Sequence, residues 1–125
     1  AVALAERQGS SGHEALAAYH KARALLAPRL ARAPDDVLMV SRMALYAART
    51  GDAAYAAGLL PHALALAPAS ADVHFRAALT HELLGQRDAA LVVIHQALRL
   101  GYPARFIDAE PDLAALRSDE RYRPG

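Results

Sequence analysis

Six histidines are the residues best able to hold a metal or carry a proton in this sequence. His74 and His81 stand seven apart, so on a helix they share a face, and His13 and His20 repeat that spacing. A zinc or nickel site would need a third ligand and a carboxylate to orient the ring, and neither is in register with these pairs. His81-Glu82 opens the pattern of a zinc hydrolase, but Leu83, Leu84 and Gly85 follow and the second His is missing. No Gly-rich phosphate loop and no Gly-x-Ser-x-Gly turn occurs. The chain has no Cys, which removes thiol catalysis and Cys-bound zinc. No catalytic residue, metal or cofactor is therefore expected, and the chain reads as a non-enzyme.

Elements that carry no chemistry of their own must then serve packing and recognition. The 125 residues are 54% hydrophobic, but about a quarter of them are Ala, which favours helix and fills a core poorly. Close-packed helices with few large anchors are expected. Net charge is +1 with Arg and acids interspersed, so nucleic acid is not an expected partner. No apolar run approaches the ~20 residues of a membrane span, and a cytoplasmic location is expected. With no initiator Met and Ala1 already inside a helical pattern, the chain is expected to be a piece of a longer protein.

A repeat organises the sequence. With residues 37–70 set above 71–104, Gly51 falls on Gly85, Ala56 on Ala90, Leu60 on Ile94, Ala63 on Ala97, Leu64 on Leu98 and Leu66 on Leu100. Every offset is 34 without a gap. The unit resembles the tetratricopeptide repeat family. Small residues stand at Ala44, Ala56 and Ala63, then at Ala78, Ala90 and Ala97, where two helices of a hairpin must cross closely. Pro68 closes the first unit and Pro103 lies one past the usual place in the second. The Trp and Tyr usual at two first-helix positions are replaced by Val40 and Ala47, then by His74 and His81. The resemblance implies that His74 and His81 pack against a neighbouring helix, with His62 and His95 on the surface of second helices.

A degenerate copy lies upstream, with Ala15, Tyr19 and Ala22 at the small, aromatic and small positions. Its extra seven residues are close to two turns and keep the buried face in phase. Helices are expected at about 1–8, 13–32, 36–50, 52–67, 70–84 and 86–100, with a kink near Ala24 to Pro28. Asp36, Asp52 and Ser70 are candidate N-caps, and Gly51, Gly85 and Gly101 candidate left-handed caps. The segment 103–109 and the segment 111–117 read as short capping helices. Glu110-Pro111-Asp112-Leu113 and the residues to Tyr122 resemble tails that close such arrays in bacterial multidomain proteins, Ser/Thr kinases among them. The expected fold is all-α, a right-handed α-solenoid of about three hairpins. It divides into a degenerate repeat at 1–36, repeats at 37–70 and 71–104, and a capping tail at 105–125.

The resemblance implies a concave groove lined by the first helices. Leu38, Ser41, Leu45, Ala48 and Arg49 fall on that arc in one repeat, and Asp72, Phe75, Leu79, Glu82 and Leu83 in the next, with Arg42 and Arg76 beside them. The cationic and amide residues of a dicarboxylate clamp are absent, since Ser41, Leu45, Phe75 and Leu79 hold those places. The expected function is binding of a peptide or helix, with Leu45, Phe75 and Leu79 as anchors and the charged residues setting polarity. The alternative is a self-associating, homodimeric or intramolecular regulatory segment, with the groove filled by the tail or by a second copy.

Overall fold

A computed structural model describes residues 2–123, with side chains from residue 12 onward, and every element among them is helical. Helix α1 runs Val2–Arg32, α2 Val37–Arg49, α3 Ala53–Leu66, α4 Ala71–Leu83 and α5 Arg87–Arg99. The tail holds α6 (Ala104–Ala109), a 3₁₀ turn Pro111–Leu113, α7 (Ala114–Arg117) and a second 3₁₀ turn Glu120–Tyr122.

The boundaries have local causes. The Asp36 carboxylate accepts the Met39 N–H at 3.1 Å, Asp52 accepts from Tyr55 at 3.4 Å, and the Ser70 hydroxyl accepts from Val73 at 3.2 Å. Each satisfies one of the donors that a helix start leaves without a partner. Gly51, Gly85 and Gly101 follow α2, α4 and α5 with φ of +83°, +74° and +97°. That left-handed cap is cheap for glycine and strained for other residues. Gln86 precedes α5 without a side-chain cap.

The first two expected helices are one. The backbone is helical without interruption from Val2 through Gly9-Ser10-Ser11-Gly12 to Arg32, passing through Pro28 (Ala1 lies outside the described residues). The tetrapeptide contains no proline, and its Gly and Ser cost helix about 0.5–1 kcal/mol each without barring it. The upstream hairpin is thus absent among the described residues, and α1 packs as a single helix against α2. Ala15, expected at a helix crossing, is consequently exposed.

Helix α2 packs on α3, α4 on α5, and α2 and α3 each on α4. The two hairpins start 34 residues apart, at Val37 and Ala71, and their second helices at Ala53 and Arg87. Ala44, Ala56, Ala63, Ala78, Ala90 and Ala97 are all 0–1% exposed. A methyl group at each crossing lets the backbones approach, and a larger side chain there would force the pair apart.

Two apolar clusters result. Leu30, Val40, Met43, Ala63 and Val73 join α1, α2, α3 and the start of α4. The other cluster gathers Leu60, Leu79, Leu91 and Ile94 with Ile107, Leu113 and Leu116 of the tail. These three tail residues are fully buried, so the tail is part of the core.

Candidate functional site

The face expected to form the groove is divided. One part is taken up by the chain itself. Leu79, an expected anchor, is only 5% exposed and lies in the cluster that Leu113 and Leu116 complete. Phe75 stacks on Tyr102 with ring centroids 4.4 Å apart, and Tyr102 meets Phe106 edge-on at 6.1 Å. Arg49 donates to Asp112 at 2.7 Å and lies over the Tyr19 ring, 4.8 Å from its centroid. Glu82 accepts two bonds from Arg87, at 2.6 and 2.7 Å. Leu79 is therefore corrected from an open anchor to a core residue, and Phe75, Arg49 and Glu82 already have partners. The cause is the tail, whose Leu113 and Leu116 bury apolar area against α4 and α5. Leu45 is half-buried, packed on the same cluster.

The other part is open. Leu38 is 44% exposed and Arg42 stands one turn on along α2, also exposed. Beside them a cleft of about 210 Å³ lies between α1 and α2, lined by Ala22, Leu25, Leu26 and Arg29 on α1 and by Arg42 and Tyr46 on α2. Leu25 is 64% exposed. Ser41 is buried and joins the two hairpins: its hydroxyl donates to the Leu38 carbonyl and accepts from Arg76 at 2.8 Å. That bond holds Arg76 of α4 beside Arg42 of α2. Burial, and then the neighbouring Arg42 charge, pull the Arg76 guanidinium below its ordinary range, while Asp72 partly offsets them. Asp72 itself is exposed.

Sequence reasoning missed the α1 side of this cleft. Ala22, Leu25, Leu26 and Arg29 form a visible stripe at helical spacing, but the repeat resemblance assigns 13–32 to a second helix, away from the groove. It also missed the ionic chain of the tail. Arg87 bridges Glu82 to Asp119, and Arg121 bridges Asp119 to Asp88. Bonds from Arg121, and then Arg87, hold the Asp119 carboxyl well below its ordinary value of 3.8. The Arg121 guanidinium is raised in turn.

The histidines have structural partners. His74 is 7% exposed, and its Nδ1 lies 2.8 Å from the Ser70 carbonyl, an acceptor only, so Nδ1 carries the proton. His81 Nδ1 donates to the Gln86 side chain at 2.8 Å. His95 is not a free surface residue: its ring stacks on Tyr122 and Nε2 donates to the Tyr122 carbonyl at 3.0 Å. His62 meets Asp35 and the Pro34 carbonyl, each at 3.1 Å. His13 and His20 are exposed on α1. Among the described residues, no three His, Asp or Glu side chains are gathered to hold a metal ion, and no helix is long and apolar enough to cross a membrane.

No family model, curated protein or solved structure matches the chain.

Proposed function

We propose that this chain is a non-catalytic interaction module of the tetratricopeptide type, taking a peptide or helix of a protein partner on the open face shared by α1, α2 and α4. The observation that carries this reading is two exposed leucines, Leu25 and Leu38, at a cleft lined by both apolar side chains and arginines. Leaving such groups in water forgoes burial worth about 1.5–3 kcal/mol for a whole Leu side chain, and a partner recovers it. The contacts are Leu38, Arg42 and Arg76 from the expected set, joined by Leu25, Arg29 and Tyr46. Leu79 leaves it.

Panning the 125-residue chain against a charge-unbiased peptide library tests the reading. Enriched peptides are expected to lose binding to Leu25→Asp and Leu38→Asp variants, with helicity unchanged because both positions face solvent. No enrichment, or enriched peptides indifferent to both variants, defeats it.

The tail supports a second reading, intramolecular regulation. Tyr102 and Asp112 occupy Phe75 and Arg49, two of the residues expected to meet a partner. On that reading Asp112→Ala frees Arg49 and strengthens binding of an enriched peptide. Unchanged affinity assigns the tail to capping alone.

A further inference from the structure

Helix α1 runs past the helix it packs on. Arg49, the last residue of α2, lies over the Tyr19 ring, 4.8 Å from its centroid. Residues 2–18 of α1 therefore reach about 25 Å beyond the end of α2. The face that α1 turns to α2 comes free in that stretch: Leu30 is buried, Leu26 and Tyr19 are half-buried, Leu16 is 39% exposed and Gly12 is exposed. Every side chain from His13 to Ala18 is exposed. A cleft of about 380 Å³ opens beside this face, walled by Leu16 and Tyr19 of α1, Arg49 of α2 and Leu83 of α4. A Cβ at Gly12 meets no described atom within 4 Å, so no described packing within the chain accounts for a residue that weakens the helix. A second helix passing close by does account for it.

The sequence of the overhang is self-complementary. Val2, Ala5, Gly9, Gly12, Leu16 and Tyr19 follow one another at spacings of three, four, three, four and three, the seam of a two-helix coil. That order reads the same from either end. An antiparallel copy on this seam sets Val2 opposite Tyr19, Ala5 opposite Leu16 and Gly9 opposite Gly12. The two larger residues, Tyr19 and Leu16, each meet a smaller one. The glycines fall next to the two-fold axis and let the backbones approach there. Glu6 and His13 stand beside the seam, one position after Ala5 and Gly12. The same pairing sets each across from the other, an acceptor facing a ring that donates.

The straight helix cannot make this pairing with itself. Positions 5 and 16 of one continuous helix stand about 16 Å apart, and α1 is helical through residues 9–12. Only another copy brings them together. We infer that the chain forms a two-fold symmetric dimer in which residues 2–19 of two α1 helices pair antiparallel. Each copy lays its first turns along Leu16 and Tyr19 of the other, beside the cleft. Leu25 and Leu38 take no part, so the dimer does not depend on the interaction reading above.

Sedimentation equilibrium of the 125-residue chain tests this. The average mass is expected to rise from one chain towards two between about 1 µM and about 1 mM. Leu16→Asp is expected to weaken association about a hundredfold, because two-fold symmetry removes each leucine twice. Ala17→Glu, off the seam, and Leu25→Asp are expected to leave association unchanged. Circular dichroism of all three, at a dilution where the parent chain is monomeric, is expected to match the parent, since the three positions are exposed. The absence of Cys gives a second, directional reading. When Ala5→Cys and Leu16→Cys chains are mixed and oxidised, the disulfide between the two variants is expected to exceed either homodisulfide. A disulfide needs Cα atoms within about 7 Å, and like positions of the antiparallel pair stand about 16 Å apart. A monomer at every concentration, a dimer indifferent to Leu16→Asp, one that Leu25→Asp dissociates instead, or homodisulfides in excess would overturn the inference.

Discussion

Asp119 shows how one side chain fixes a whole segment. It accepts the Arg121 backbone N–H at 2.9 Å, two Arg121 side-chain bonds at 3.0 and 3.1 Å, and an Arg87 bond at 3.3 Å. A carboxyl held below its ordinary value of 3.8 stabilises the fold at neutral pH, and the contribution fades as pH falls through and below that value. Acidification well below the ordinary value of 3.8 is therefore expected to loosen residues 111–122 before the hairpins. Amide exchange reads this directly: the tail amides lose protection first in the native chain, and Asp119→Asn shows the same loss already at neutral pH. Uniform loss across α2 to α5 would contradict it. These partners lie 32 positions from Arg87 and 33 from Asp88 in the sequence, or on the tail itself, and no local pattern joins Arg87 to Asp119. The N-caps, by contrast, join residues three apart, and their spacing alone reveals them.

At the scale of elements, the hairpins are set by positions rather than by overall hydrophobicity. Helices α2 and α4 share length, start and cap type at matching places in the repeat. Their ends depend on Gly51 and Gly85, whose positive φ leaves open space around the place of a Cβ. Replacing either by Ala therefore meets no neighbour and costs only the backbone conformation, about 1–2 kcal/mol. Chemical denaturation of Gly85→Ala is expected to show that loss with an unchanged m-value. A loss beyond it would mean that the turn packs against more than its own helix ends. Helix α1 marks the limit of such local reasoning. Glycine and serine at residues 9–12 suggest a break, but they only weaken a helix, and α1 runs through them as it runs through Pro28.

At the scale of the molecule, the tail closes the α4–α5 end by adding core. Ile107, Leu113 and Leu116 are 0% exposed, and the Arg117 guanidinium donates to the Ile107 and Glu110 carbonyls at 2.6 Å, fixing the bend between α6 and α7. Leu116→Ala is expected to cost about 2–5 kcal/mol, the range for an unfilled core cavity. Leu38→Ala on the open face is expected to stay within about 0.5 kcal/mol. Thermal and denaturant unfolding of the pair decides whether the tail is core or appendage. Comparable small losses for both would make it an appendage.

The sequence alone determined the helices from residue 36 to 117, their caps, and the alanines at the crossings. Each rests on contacts within one turn or on a 34-residue spacing that any reader of the chain can measure. Only the tertiary structure decided which apolar positions remain exposed. Leu38, Leu79 and Leu25 are the same residue type on helical faces, yet the tail covers Leu79 and nothing described covers the other two. Burial is settled by what arrives from elsewhere in the chain, and so is the approach of Arg76 to Arg42, held across 34 positions of sequence through Ser41.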